Sequence, residues 1–517
     1  MDTAEHVAGT ESSRSGTGPT SATGTDAAAP RHLRAGHFVR GVATLGMAQL
    51  VTWACSAVMA VLLPHYLGAA NLGRYWLAYS VMGLVSLFTN LGTASYVTLE
   101  TARAPERAPT LYGSALTVRL LLSAIVAAAT VVAFRLLPVD PITRTTVDIF
   151  CVALLVSAFE ASYAALQGFQ RMDILALTTT VNAVVAATAA AVLLVHGAGP
   201  PGAALAAVLG AAVAQGVCVI GLLRVFRPDM RVRPSRLAGV LAGGLPFFVW
   251  GAALTVYSQV DTVLLSVLTS PEVVGWYAAA LRVVTVAGFV PTIVVTVAFP
   301  ALTVSAADLA AFTRMTRQAL RVILLVSIPC GIGIALLPVG ITTLLRYPAT
   351  FSHSWLPIQL LAIQIPLVAA DMVIGTALSA SGRQRQWAVT AIGAAVLNPL
   401  ANLAAIPLTQ HLLGNGAVGA SATTTLTEVY MMVVGIKLLR PGVLDRSTLV
   451  ESLKVVAACL PMAVVAWLLR GFPVMLPVVA GALVYLVTCL LTGLVSRTDL
   501  VEVRRQLVRR ALRGRAA

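Results

Sequence analysis

The stretch LLPHYLGAANLGRYWLAY at 62–79 returns as LLSVLTSPEVVGWYAAAL at 264–281, and this recurrence organises the rest of the chain. Leu62, Leu63, Gly73, Tyr75 and Ala78 meet Leu264, Leu265, Gly275, Tyr277 and Ala280 at an offset of 202, and at the same offset Arg119 meets Arg321. Further on the offset has grown to 214: Gly168, Gln170, Arg171, Gly202 and Ala203 match Gly382, Gln384, Arg385, Gly416 and Ala417. One structural plan is therefore written twice.

The plan belongs to a membrane. The 517 residues are 58% hydrophobic and 11% charged, with a mean hydropathy of +0.88, above the ~45–50% apolar content of soluble domains. A spanning helix needs about 20 mostly apolar residues. Such runs lie at 41–63, 75–98, 113–137, 147–168, 174–196 and 203–224, then at 239–268, 275–302, 319–345, 355–380, 387–408 and 416–438, and finally at 450–470 and 473–495. The expected architecture is all-α and polytopic, with about 14 transmembrane helices as two six-helix repeats and a C-terminal pair. Because six is even, the second copy enters from the same side as the first, which makes the repeats parallel about an axis along the membrane normal.

Basic residues test the layout, since inner loops carry the excess. Of the 35 Lys and Arg, 28 fall on the side shared with the N-terminus. Arg74, Arg135, Arg144, Arg346 and Arg470 fall on the other, and Arg119 and Arg282 lie inside spans. Both termini are thus expected in the cytoplasm, and the net charge of +15 reads as orientation, not as a nucleic-acid surface. The expected units are a disordered tail at 1–37, a first lobe at 38–226, an Arg-rich linker at 227–238, a second lobe at 239–440, the helix pair within 441–496 and a basic amphipathic tail at 497–517. Residues 1–37 lack the apolar core of a signal peptide. The six cysteines sit in apolar runs without CxxC spacing, so neither a disulfide framework nor a metal site is expected. No cofactor is expected either.

No GxxxxGK[ST] loop occurs, so transport would draw on an ion gradient or the membrane potential. The short loops on the outer side disfavour an enzyme that must hold reacting sugars. Ionisable groups at membrane depth are the functional candidates. Arg119 and Arg321, near the inner ends of their spans, suit an anionic headgroup, because a guanidinium donates bidentate hydrogen bonds to phosphate; snorkelling is the plainer alternative. Asp261 and Arg282 share a depth across a hairpin and read either as an ion pair or as a gate opened by substrate phosphate. Glu160, Asp371 and Glu428 lie near mid-span, where a carboxyl favours its neutral form, and suit ion coupling or, more simply, a hydrogen bond to backbone. Asn90, Gln167, Gln259, Asn398 and Asn402 are candidates for a polar cavity or for interhelical contacts. Pro64, Pro246, Pro291, Pro329 and Pro366 mark expected kinks.

With Leu72, Gly73 and Tyr75, and again Val274, Gly275, Trp276, Tyr277 and Ala278 to Ala280, opening the second and eighth spans, the chain over 38–496 resembles the oligosaccharide flippases of the multidrug/oligosaccharidyl-lipid/polysaccharide superfamily. The resemblance implies two lobes around a cavity that opens alternately to each side. It also implies movement of polyprenyl-diphosphate-linked sugars from the cytoplasmic to the outer leaflet for surface polysaccharide, with cationic cavity residues on the diphosphate. Arg119, Arg282 and Arg321 are the positions available for that role. The implied partners are the lipid-linked oligosaccharide, the inner membrane and other polysaccharide-assembly proteins. A cation-coupled drug exporter of the same superfamily and a membrane enzyme of polysaccharide assembly stay open as alternatives, the exporter calling for an acidic, aromatic cavity.

Overall fold

A computed structural model describes residues 35–494, except 232, 288 and 307. The expected disordered tail therefore lies outside the described residues up to residue 34, and the amphipathic tail at 497–517 lies outside them entirely. The described residues form helices joined by turns and short connections, with no strand among them. The first half comprises α1 (Ala35–Asn90), α2 (Thr93–Arg103), α3 (Ala108–Leu136), α4 (Pro141–Ser157), α5 (Glu160–Gly168), α6 (Met172–Val195) and α7 (Gly199–Leu223). The second comprises α8 (Pro234–Leu268), α9 (Pro271–Ala287), α10 (Phe289–Ser305), α11 (Leu309–Leu336), α12 (Pro338–Leu344), α13 (Trp355–Ala380), α14 (Gln384–Leu413) and α15 (Gly416–Leu438). A trailing pair, α16 (Arg446–Leu468) and α17 (Met475–Leu491), follows.

Ten of these helical segments are long and apolar enough to cross a membrane, and large apolar side chains such as Leu121, Ile125, Val132 and Leu136 stand exposed on their outer faces. Lipid is the solvent that tolerates them, and helices are the element that leaves no backbone group unpaired in it. The chain is a multi-pass membrane protein.

Helix boundaries differ from the sequence reading where glycine or proline intervenes. The run at 41–63 and most of that at 75–98 fall in α1, which is broken at Gly68 (φ 68°, ψ 178°), and the second run continues past Gly92 into α2. Straight, its 56 residues would reach ~84 Å, more than twice the ~30 Å hydrocarbon core, so the break redirects the chain. The run at 275–302 is divided between α9 and α10, and Pro291 falls in the first turn of α10, where its missing N–H costs nothing. Pro64, Pro246, Pro329 and Pro366 lie inside helices.

Within each half the last two full-length helices pack on each other, α6 on α7 and α14 on α15, while α16 and α17 pack on α11, outside the repeat. Between the halves α1 runs against α9 and α8. The closest approach uses the recurring glycines. A Cβ on Gly73 would sit 1.8 Å from the carbonyl oxygen of Pro271, and one on Gly275 would sit 1.9 Å from that of Ala69. These positions are 202 apart in both pairs, so each half offers the other the same surface, as across a twofold axis. Over this junction lies the segment before α13. The Tyr347 hydroxyl donates to the Ala60 carbonyl at 2.8 Å, the Trp276 indole N–H donates to Thr350 O at 2.7 Å, and the His65 ring nitrogen lies 3.0 Å from Arg346 O. Nearby, Asp140 caps α4 and meets Arg74 at 3.2 Å. Partial burial pushes its pKa up, but Thr143 and Arg74 outweigh that and hold it below the usual carboxylate range.

A second approach closes the other end. Gly92, between α1 and α2, faces Gly244 of α8, where a Cβ would lie 2.1 Å from the Gly244 carbonyl oxygen. Gly275→Ala is expected to destabilise the protein by about 1–3 kcal/mol through overpacking, read as a lower melting temperature in detergent. Gly251→Ala, whose Cβ meets nothing within 4 Å, serves as control, and equal melting of the two variants would show that α1 and α9 part without strain.

Candidate functional site

A cavity of 740 Å³ opens between α1, α9, α10 and α13, within the ~300–1,000 Å³ typical of ligand sites. Its walls are largely apolar, with Leu50, Ala57, Ile365 and Val368 among them. Among the described lining residues Arg282 is the one ionisable side chain. Its guanidinium carbon stands 4.8 Å from the centre of the Trp76 ring, and its buried Nε has no hydrogen-bond partner. A cation stacked on an indole keeps its in-plane N–H groups free for an incoming acceptor. Gln364 lines the same cavity. It is 8% exposed, and its Oε1 is buried without a donor. A buried acceptor left unpaired costs about 1–3 kcal/mol, which makes it a feature in need of a function. Gln364 and Trp76 carry no charge and interrupt no apolar run, so neither stands out in the linear pattern.

Asp261 and Arg282 do not pair. Asp261 is buried and accepts from Asn402 Nδ2 at 2.7 Å, the Thr424 hydroxyl at 2.8 Å and the Tyr277 hydroxyl at 2.9 Å. Asn398 is fully buried beside them, its Oδ1 accepting from Asn402 at 3.1 Å. One helical turn before Asp261, the Tyr257 hydroxyl donates to Glu428. The Glu428 carboxyl in turn faces that of Asp371, which accepts from no N–H or hydroxyl. Thus α8, α9, α13, α14 and α15 hold a facing carboxyl pair, Asp371 and Glu428, and a third carboxyl, Asp261, one turn along α8 from the Tyr257 that binds Glu428, none with an Arg or Lys partner in any of the described ion pairs. Two facing carboxyls can share one proton or one cation, and cannot comfortably hold two charges.

Arg119 lies in the other half. It is 1% exposed, and its guanidinium donates to Glu160 at 2.8 Å, to the Ser157 carbonyl at 2.8 Å and to Asn90 Oδ1 at 2.9 Å. Protein groups occupy both terminal nitrogens, while Nε is buried without a partner, so Arg119 acts as a brace between α1, α3 and the α4–α5 break, and at 1% exposure it does not snorkel. Glu160, with a side chain 48% exposed, also lines a 470 Å³ recess together with Gln167. Asn90 is taken up by Arg119 and by the Ala94 N–H. Arg321 is exposed and donates to the Leu494 carbonyl at 2.8 Å, tying α11 to the chain beyond α17, away from the cavity. Gln259 packs on Gly83, 3.1 Å from where its Cβ would be, at the contact between the halves. No group of three or more metal-ligating side chains occurs among the described residues.

A family model described as "Polysaccharide biosynthesis protein" matches residues 38–305. Among solved structures the chain is similar to the lipid II flippase MurJ in an inward closed conformation, at 16% identity and a TM-score of 0.73 over 86% of this chain and 97% of that one. It is also similar to an inward-facing multidrug transporter of the MATE family in the MOP superfamily (14% identity, TM-score 0.59, 81% and 99% covered) and to the MATE multidrug transporter DinF-BH (16%, 0.56, 79% and 95%). At these identities the likeness is one of fold. No curated protein sequence matches.

The two arginines should respond differently to removal. Arg119→Met strands Glu160, Asn90 and Ser157 O. It should lower the melting temperature and yield of folded protein, by less than the ~3–5 kcal/mol of a fully buried pair because Glu160 is half in solvent. Arg282→Met breaks no hydrogen bond and loses only the contact with the Trp76 face, so it should lower melting less than Arg119→Met does. Equal losses in thermal denaturation would contradict this assignment.

Proposed function

Since the chain belongs to the polysaccharide biosynthesis protein family and shares the fold of a lipid-linked-substrate flippase, we propose that it moves a polyprenyl-diphosphate-linked oligosaccharide from the cytoplasmic to the outer leaflet for surface polysaccharide. The observation that carries this reading is the cavity between the halves: one free-handed cation, Arg282, in apolar walls without an acidic side chain among the described lining residues. A sugar diphosphate cannot cross hydrocarbon unaided, because its polar groups would lose their hydrogen bonds. Arg282 would take the diphosphate with its in-plane donors while Trp76 supports the guanidinium face. The apolar prenyl chain needs no site and stays in lipid.

The two glycine approaches suit alternating access. Parting Gly92 from Gly244 would admit the headgroup from the Arg-rich side, and parting Gly73 from Gly275 would release it on the other. For the driving force we assign the Asp261, Asp371 and Glu428 cluster, which would bind a proton or a monovalent cation and so bias one state over the other. The drug-exporter reading is less well supported, because the acidic groups lie within the second half while the cavity lining carries a cation. Both termini and the Arg-rich face are assigned to the cytoplasm of a bacterial inner membrane.

Purified protein in liposomes should transfer a fluorescent undecaprenyl-diphosphate sugar between leaflets without altering its covalent structure. Arg282→Ala should reduce the rate at least tenfold in protein that stays folded, with at most a small loss in melting temperature, and wild-type transfer by that variant would remove Arg282 from the path. Asp261→Asn should abolish any stimulation by an imposed ion gradient while leaving downhill exchange measurable; retained stimulation would reassign the coupling site.

A further inference from the structure

Gln364 is a second, unassigned contact in the cavity. It stands nine residues into α13, and Arg282 stands eleven into α9. Both helices start from the face opposite the Arg-rich one, so the two side chains lie at ~14 and ~16 Å along their helices, nearly level. Both hold polar atoms without a protein partner, Arg282 at Nε and Gln364 at Oε1. The nearby Thr285 hydroxyl is occupied by its own helix, donating to the Leu281 carbonyl at 2.7 Å, and Ile365 and Val368 flank Gln364 with apolar surface.

The two groups have different chemistry. A guanidinium has donors and no acceptor, which suits phosphate oxygens. A side-chain amide offers an acceptor as well as donors, and Gln364, which lines the cavity, has its Oε1 without a donor. A phosphate oxygen cannot satisfy an acceptor. A sugar hydroxyl or an acetamido N–H can, and it can accept from the amide N–H in return. Sites that hydrogen-bond a polar substrate group reject the analogue lacking it far better than apolar pockets reject an extra group. We propose that Gln364 reads the first sugar attached to the diphosphate held by Arg282, so that the protein discriminates a sugar-loaded carrier lipid from the bare one. This rests on the reading of the cavity as a lipid-diphosphate site. Without such a contact an arginine would bind both lipids, and bare carrier would compete for the path.

The test is binding of two probes to the full-length protein in detergent: undecaprenyl diphosphate, and the same lipid carrying one N-acetylated hexosamine. Wild type is expected to bind the sugar-bearing lipid at least tenfold more tightly. Gln364→Leu replaces a buried unpaired amide with an apolar group of similar size, a change that folds readily; it should bring the sugar-bearing lipid down to the affinity of the bare one while leaving the bare one within twofold. Gln364→Asn, with the amide drawn back, should lie between. Equal wild-type affinity for the two probes overturns the inference and leaves the flippase reading intact. So does a Gln364→Leu variant that keeps its preference, or one that loses both probes alike. Failure of wild type to bind either lipid overturns the inference together with the reading it rests on.

Discussion

The contact between Gly73 and Gly275 sets the geometry on which everything else depends. Two helices from different halves approach so closely that the carbonyl oxygens of Ala69 and Pro271 occupy the space where a β-carbon would be. No other residue type permits that approach, and the reciprocal numbering, 69 to 275 and 271 to 73, shows that one surface is used twice. In a bilayer the hydrophobic effect does not drive helices together, because lipid tails are as apolar as leucine. Close packing of small residues and polar contacts must supply the attraction. The hydrogen bonds from Tyr347 and Trp276 and the His65 contact gather around this junction and supply the polar part.

Function enters where the symmetry fails. At the offset of 202 the partner of Arg282 is Ser80, a buried serine, so a single cation faces the space that two equivalent helices enclose. At the offset of 214 the partners of Asn398, Asn402, Thr424 and Glu428 are Val184, Thr188, Gly210 and Ala214. The first half fills with small and apolar groups the volume that the second leaves to a buried carboxylate network; Gly210, for instance, lies so close to Asn182 and Ala186 that a Cβ would clash. On the proposed reading the duplicated scaffold provides two bodies that rock, while divergence gives one body the ion chemistry and places the headgroup contact between them. The brace of Arg119, Asn90 and Glu160 belongs to the first half and keeps the broken α4–α5 run rigid.

Much of this was legible in the sequence because the signals were one-dimensional. Apolar runs, the Lys and Arg asymmetry and the recurrence from 62–79 to 264–281 need no knowledge of side-chain direction, and they led to the all-helical, duplicated membrane fold. The site was legible only in part. Depth along a helix can be counted, but azimuth cannot, and azimuth decides whether an arginine meets a cavity or a carboxylate. Arg119 and Arg282 looked alike as cations inside spans, yet one spends its terminal nitrogens on Glu160, Asn90 and Ser157 and the other lines the cavity, stacked on Trp76. Asp261 and Arg282 share a depth and turn to different neighbours for the same reason. Gln364 is neutral within an apolar helix, and its meaning arises only from the empty space before it.

Position along the helices also links the seal to the cavity. Trp76 is three residues beyond Gly73 on α1, and Arg282 is seven beyond Gly275 on α9, so the cation–π pair joins the same two helices within two turns, ~10 Å, of the glycine contact. Such a pair contributes about 0.5–2 kcal/mol to holding α1 on α9. On the proposed reading a bound headgroup takes the in-plane donors while the indole keeps the guanidinium face, so one side chain serves both the junction and the headgroup. A ligand shifts a conformational equilibrium only by its difference in affinity for the two states, and a diphosphate held by Arg282 with Trp76 behind it is bound more tightly with α1 against α9 than with the two apart. Parting the two helices would then loosen the headgroup at the point where it must leave.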